Sequence, residues 1–390
     1  VLKGVKLQLT VNKDQETLIR KHVGCCRWLY NYALAEGKEY YNQFKSFLPM
    51  NMLITELPDL KSTYEWLREV DSTCLQQVLR DQHKAFQNFF QKTSGFPKFK
   101  SKHRDRDSFR LTNTNNSVRF RNDRIKLGKI GFIKISRANK QLKRLPSTFK
   151  IKSATVSKDS DQHWYASVLI ECENQAPLLE LDNIVGIDLG IKNNYQTCYF
   201  EENQEYYTIT NPKAYEKESK KLKKLQQRLS RKAKGSKNHE KAKIKLAKKH
   251  FRVKSIRSDF NHQLSRFLID NFQMIVIEDL DLDQMKQNRL GQKISDLAFY
   301  QFRTFLDYKS KWYGRDLVIA DKYFASTKIC GECGFKNMNL TLKDRSYTCP
   351  GCNTQLDRDK NASLNLYQLG AHRWNTGIVL DSNGYINLFK

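Results

Sequence analysis

The chain has 390 residues, 39% of them apolar, with 22 Phe and 18 Tyr, which excludes a disordered segment and leaves room for two or three domains. Lys and Arg number 69 against 41 Asp and Glu, a net charge of +28 that points to a polyanionic partner, nucleic acid first. An anionic membrane surface is the rival, but no basic amphipathic anchor, lipidation signal or run of 18 apolar residues supports it.

The N-terminus, VLKGVKLQL, lacks the apolar core and cleavage site of a signal peptide, and the missing initiator Met implies a trimmed chain. Residues 3–11 alternate as a strand does. Asn12 then caps a helix, with Gln15 completing a capping box and Leu18, Ile19, Val23, Leu29 and Tyr32 at helical spacing. Residues 46–93 read as helical, and Gly95 and Pro97 break the pattern. From about 108 to 172 short alternating segments separated by turn residues read as strands of a small β-barrel. Residues 175–182 read as a linker, followed by an apolar strand in IVGIDLG and a second strand.

Residues 213–257 hold 19 Lys and Arg against 3 Glu, a net +16, with Leu222, Leu225 and Leu229 at heptad-like spacing and a break at Gly235-Ser236. Leu246, Val253, Phe260, Leu264 and Phe267 continue the pattern. This is a basic helical hairpin; a solvated charged face is the bland alternative, but so one-sided a sign favours phosphate contact. MIVIEDL at 274–280 is another buried-type strand, LAFYQFRTFLDYKSKWYG a helix and RDLVIADKY a further strand. A short helix is expected from 361 to about 370, and a tail with little pattern from 371.

Nine cysteines in a long chain with no secretion signal do not form a disulfide framework. Cys25, Cys26, Cys74, Cys172 and Cys198 sit in apolar contexts and are expected in the core. Cys330, Cys333, Cys349 and Cys352 form C-x2-C-x15-C-x2-C, the ligand set of a closed structural Zn²⁺ site rather than a redox dithiol. Gly334 and Asn353 follow the two pairs, where a knuckle turn needs positive φ.

Three acids carry the chemistry. Asp188 lies in GIDLG on a strand expected to be central, where a charge is costly unless paired or bound to a cation. Glu278 ends MIVIE, and Asp357 and Asp359 follow the ribbon, where Asp359 could also cap the helix near Asn361. Two strand-borne acids followed by one at a helix start are in the order of RNase H-like nucleases. Mg²⁺ prefers such hard oxygen ligands, and two ions about 4 Å apart clamp both oxygens of an in-line phosphodiester displacement.

GCCRWLYNYAL, GFPKFK, GIDLGIK, IEDL and the ribbon running into DRDKNASLN, in that order, resemble the TnpB family over nearly the full length. These are transposon-encoded proteins similar to type V CRISPR effector nucleases. The resemblance implies an α+β and α/β multidomain chain: a wedge-type β-barrel at 1–45 and 105–175 with a helical recognition insertion at 46–104. It further implies an RNase H-like (RuvC) nuclease domain at 180–328 and 354–372, interrupted by a zinc ribbon at 329–353, and a tail at 373–390. It implies an RNA-guided DNA endonuclease, cutting double-stranded DNA beside a short flanking motif and leaving 5′-phosphate and 3′-hydroxyl ends. The catalytic and Mg²⁺ (or Mn²⁺) ligands carried over are Asp188, Glu278 and Asp359, with Asp357 a neighbour. Candidate flanking-motif contacts are Gln76, Thr112 and Asn113, with Ser72 and Thr73 facing the same motif; ordinary helix and turn roles are their alternative. Guide RNA and target DNA are the implied partners, with no membrane and no required protein partner, and the cytoplasm and nucleoid the implied location. Members with eroded acids act as RNA-guided repressors; here the acids are intact, and Ser363 stands where Ala is common. An RNA-independent transposase using the same acids is the other alternative.

Overall fold

The computed structural model describes residues 1–136, 142, 145–173, 177–190, 195–199, 205–209, 213–279, 298–341 and 344–376. The chain divides into two compact units, Val1–Asn174 and Gln175–Lys390.

In the first unit, β1 (Leu2–Thr10) leads through Asn12 into the 32-residue helix α1 (Lys13–Phe44). The expected capping box forms: Asn12 Oδ1 accepts from the Gln15 amide at 2.8 Å, and Gln15 Oε1 from the Asn12 amide at 3.2 Å. The region 46–93, expected to be helical, is α2 (Met50–Thr55), α3 (Leu57–Thr63), a 3₁₀ turn (Glu65–Glu69) and α4 (Ser72–Phe90). Pro58 explains one break: it is tolerated only in a helix's first turn, and α3 starts one residue before it. Extended backbone at Val70 makes another.

The strands β2 (Ser108–Thr112), β3 (Val118–Arg121), β4 (Arg124–Leu127), β5 (Phe132–Ile135), β6 (Lys150–Lys158) and β7 (Trp164–Glu171) join β1 in an antiparallel sheet ordered β2-β6-β7-β1-β5-β4-β3. Its edges, β2 and β3, are consecutive in the chain, so the sheet curls. Asn113 spans the seam: its Nδ2 donates to Ile151 O at 3.0 Å, and its Oδ1 accepts from the Val118 amide at 2.9 Å. Alternate residues such as Leu7, Leu111, Ile125, Ile133, Val156 and Val168 fill the interior against Ile19, Val23 and Leu29 of α1. Cys25, Cys26, Cys74 and Cys172 are buried, as expected; the Cys198 side chain lies outside the described residues.

The second unit is built on β8 (Ile184–Leu189), β9 (Tyr195–Tyr199), β10 (Glu205–Ile209), β11 (Met274–Glu278) and β12 (Asp316–Ala320), ordered β10-β9-β8-β11-β12. β8, β11 and β12 run parallel, and β9 and β10 antiparallel. Helix α5 (Ala214–Ser230) turns at Gly235, φ +85°, into α6 (Lys237–Asn271), capped by Ser236. Leu222, Leu246 and Val253 form the hairpin's small core, whereas Phe267 is exposed and Leu268 and Ile269 face inward instead. Helix α7 (Phe299–Tyr313) precedes β12. A two-stranded ribbon, β13 (Ser346–Thr348) and β14 (Gln355–Asp357), leads into α8 (Arg358–Thr376). That helix starts at Arg358, three residues before the expected start at 361, and runs to Thr376, past the expected end near 370; residues 377–390 lie outside the described residues.

The central strands are covered on both faces, which is why they read as unbroken apolar runs. Val185, Ile187, Ile275 and Ile277 pack on Leu264 and Leu268 of α6 and Phe302 and Leu306 of α7. Ile184, Met274, Val276 and Val318 pack on Leu366 and Leu369 of α8. α8 crosses β8 at Gly186, where an added Cβ would stand 2.3 Å from both the Ser363 carbonyl oxygen and the Tyr367 amide nitrogen. Both obstacles are backbone. Gly186→Ala is therefore expected to cost about 3 kcal/mol or more. Gly4→Ala in β1, with nothing within 4 Å of the added carbon, should change stability by less than about 1 kcal/mol. Thermal or denaturant unfolding of the two variants checks this.

Candidate functional site

Ile277 of β11 stands opposite Ile187 of β8 in parallel register. The next residue on each strand is an acid, so Glu278 and Asp188 come level at the same ends of neighbouring strands. Side chains alternate faces along a strand, and the even-numbered residues of both strands face α8. Asp188 and Glu278 thus project on the helix side. Asp359, in the first turn of α8, lies within electrostatic reach of both: Asp188 feels the charges of both Glu278 and Asp359, and Glu278 that of Asp359.

The start of α8 separates the two ribbon-proximal aspartates. Asp357 Oδ1 accepts from the amides of Asp359 at 2.9 Å and Lys360 at 3.2 Å, so Asp357 is the cap. The alternative in which Asp359 caps a helix near Asn361 does not hold, because the helix has already begun at Arg358. The Asp359 carboxylate takes no part in the cap, with Arg358 Nε 3.8 Å away.

These acids are held in an unfavourable environment. Asp188 is 7% exposed and Asp359 8%. Burial, then the charges of Glu278 and Asp359, push the Asp188 carboxyl well above the usual range, with Arg358 opposing. Burial raises Glu278 too; the Ser326 hydroxyl, which donates to its Oε1, works against this and the Asp359 charge adds to it. Buried carboxylates gathered with one arginine among them are the donor set a hard divalent cation satisfies.

The four ribbon cysteines converge, with all sulfurs within 4.8 Å of one another. Cys330–Cys352 and Cys333–Cys349 sulfurs are 3.7 and 3.5 Å apart. Four sulfurs at tetrahedral Zn–S bonds of about 2.3 Å stand about 3.8 Å apart, so the cluster fits zinc. Gly334 and Asn353 take φ +74° and +58°, as the knuckle turns require. Burial works against ionising Cys349, but the amides of Cys352 and Gly351 bring its thiol down to about 6.

Sequence reasoning missed what attaches the ribbon to the helix. Asn361 Oδ1 accepts from the Gly331 amide at 2.9 Å and its Nδ2 donates to Ile329 O at 2.7 Å. Asn365 Nδ2 donates to Ser326 O at 2.6 Å and Ile329 O at 2.7 Å, and Gln368 Nε2 to Gly331 O at 2.5 Å. Positions 361, 365 and 368 form one helical stripe. Amides at i, i+4 and i+7 inside an otherwise apolar face are the signal that could have found it.

The expected DNA-motif candidates are spread through the first unit. Gln76 and Thr73 on α4 are half-buried, and Ser72 Oγ is bonded to Lys61 Nζ at 2.6 Å. Thr112 ends β2, and Asn113 has both ends of its amide engaged at the sheet seam. In the second unit, α5 and α6 enclose a groove of about 470 Å³ lined by cations including Lys221, Lys224, Arg228, Lys245, Lys248 and Arg252. No described helix is long and apolar enough to cross a membrane.

Family models match three stretches: "Probable transposase" at residues 167–289, "Cas12f1-like, TNB domain" at 299–366 and "Helix-turn-helix domain" at 1–46. The last of these stretches is strand β1 and the single helix α1 here. A "Putative RNA-guided DNA endonuclease" of Streptomyces pristinaespiralis is 36% identical over 380 residues, 95% of this chain and 90% of that protein. InsQ of Escherichia coli (strain K12), bearing the same description, is 30% identical over 389 residues, 95% and 92% of the two chains. A cryo-EM structure of a Cas12f1–sgRNA–target DNA complex shares the fold at a TM-score of 0.63 and 14% identity, covering 94% of this chain and 98% of that one. The fold is that of the Cas12f1 protein in this complex. The chain belongs to the TnpB family.

A carboxyl whose pKa is higher folded than unfolded holds its proton more tightly in the folded state. Its contribution is full below the unfolded value, about 4, and is lost as pH rises through the raised folded value. Without added divalent ion, Asp188→Asn should therefore melt at a higher temperature than the wild type at pH 8. The gap should close towards pH 4. Melting curves of both proteins across that range check this.

Proposed function

We propose that the protein is an RNA-guided, metal-dependent DNA endonuclease that cleaves double-stranded DNA beside a short flanking motif through a single RuvC-type site. The observation that carries this reading is that Asp188 and Glu278, level on the α8 side of neighbouring strands, feel each other's charge and that of Asp359 in the first turn of α8. Two family relatives described as RNA-guided DNA endonucleases, aligned over 95% of the chain, support it.

Asp188, Glu278 and Asp359 would hold Mg²⁺ or Mn²⁺. Bound there, the ions supply Lewis acidity to the scissile phosphate and a hydroxide nucleophile at neutral pH. The rest falls to the chain. Asp188 and Glu278 present carboxylates whose mutual repulsion a cation relieves, so they favour an occupied site over an empty one. Asp357 caps the helix and keeps Asp359 free of that task. Arg358 places a fixed positive charge beside Asp359, where a phosphate would be drawn in. The α5–α6 groove takes up nucleic-acid phosphates, while base pairing between guide and target supplies the sequence choice. Residues 1–45 and 105–175 form the wedge domain, 46–104 the recognition insertion, 180–328 and 354–372 the nuclease domain and 329–353 the zinc ribbon. Gln76, Thr112, Ser72 and Thr73 are the candidates to read the flanking motif. Asn113 would act there through the backbone it holds.

The test begins with protein expressed beside its native flanking DNA. Sequencing of co-purified nucleic acid should return one discrete RNA with a structured end and a short variable end. With that RNA and Mg²⁺ the protein should cut matching DNA, and Asp188→Ala, Glu278→Ala and Asp359→Ala should each lower the rate at least about a thousand-fold while retaining the RNA. Heterogeneous nucleic acid removable by salt would favour the RNA-independent transposase. A bound RNA without cleavage would favour the repressor. Elemental analysis should find one zinc per chain, lost in Cys349→Ser together with cooperative melting of the ribbon-bearing unit.

A further inference from the structure

Glu278 and Asp359 are 81 positions apart (359 − 278), and the zinc ribbon lies between them. A glutamate side chain has three rotatable bonds, and Asp359 repels this one. Left to itself, the Glu278 carboxylate would swing away from the site that a cation needs. Ser326, 4% exposed, stops it by donating its hydroxyl to Oε1. Ser326 is in turn held from α8: its carbonyl oxygen takes the Asn365 amide at 2.6 Å. Asn365 is 3% exposed and lies six residues past Asp359 on the same helix. Its amide also holds Ile329 O, three residues further along the segment that opens the ribbon.

We propose that Ser326 and Asn365 are positioning residues that form a single link from the Glu278 carboxylate to the helix carrying Asp359, fixing the spacing of the two acids and leaving Glu278 Oε2 for a divalent cation. The inference rests on the reading of these acids as cation ligands. A hydrogen bond to a charged carboxylate is stronger than a neutral one. Residues that orient a ligand in this way change metal affinity about 10- to 100-fold when removed. The competing explanation is that Ser326 is a buried hydroxyl that merely found an acceptor. Its removal would then lower stability and leave cation affinity unchanged.

The experiment compares full-length wild type, Ser326→Ala, Ser326→Thr, Ser363→Ala and Asp188→Ala, with Mn²⁺ as the probe. Ser363 is a control: it is equally buried, but its hydroxyl bonds Lys360 O within α8. Two quantities are read: the Mn²⁺ concentration that half-saturates thermal stabilisation of the RNA-free protein, and the concentration for half-maximal cleavage by the RNA complex. Ser326→Ala should raise both about tenfold or more, Ser326→Thr should restore them towards wild type, and Ser363→Ala should move neither. The proposal is overturned by Mn²⁺ midpoints within twofold of wild type in Ser326→Ala, or by an equal shift in Ser363→Ala. If Ser326→Ala does not melt cooperatively, wild-type midpoints in Ser326→Thr sustain the proposal and tenfold-shifted ones overturn it. Wild-type Mn²⁺ midpoints in Asp188→Ala would instead sink the acid-site reading itself, a failure separate from that of Ser326.

Discussion

The backbone contact between α8 and β8 at Gly186 is the constraint on which the second unit depends. It brings a helix against a strand with no side chain between them, so the first turn of α8 reaches the ends of β8 and β11. Everything unfavourable about the site follows from that closeness. Three carboxylates from three elements come within reach of one another's charge, and burial raises two of them above their usual range. The surroundings offset this through directed hydrogen bonds rather than added apolar packing. Asp357, Ser326, Asn361, Asn365 and Gln368 each spend a polar group on holding backbone or carboxylate in place.

The molecule separates two scales of electrostatics. The net +28 and the cations of the α5–α6 groove act on a polyanion before contact and within about a Debye length of 8–10 Å. The buried acids act inside the fold, where water is excluded and each charge counts for more. The hairpin's own core of Leu222, Leu246 and Val253 is small, as expected of an element whose surface is given over to charge.

What the sequence disclosed was whatever has a period or a fixed spacing. Unbroken apolar runs in IVGI and MIVI announced strands covered on both faces. The cysteine spacing announced the ribbon, and Asn12 with Gln15 announced the first helix. The helical insertion was legible as helix but not as three helices and a turn, because Pro58 and Val70 act through local geometry that an averaged pattern passes over. The start of α8 was misplaced for a similar reason: both Asp357 and Asp359 can cap, and only the strand running into the helix decides between them. Asn113 looked like a free polar side chain in a turn. Its role at the seam depends on β2 and β3 being the two edges of one sheet, a fact of topology with no local signature. Ser326 carries no motif at all; its partner lies 48 positions away (326 − 278) and is brought near by folding.

β14 ends at Asp357 and α8 begins at Arg358, so no loop residue lies between ribbon and helix. The join behaves as a keyed shaft. Each residue in an α-helix advances the rotation by about 100°, from 3.6 residues per turn. One residue added between Cys352 and Asp357 would offer the helix a phase in which Asp359 points away from the strand ends while the ribbon still folded around its metal. Length in this short segment is thus a coordinate of the active centre. Chain added between Phe335 and Tyr347, inside the ribbon and before the second knuckle, leaves that phase untouched. The module can grow on its solvent side without turning the helix that carries the third acid.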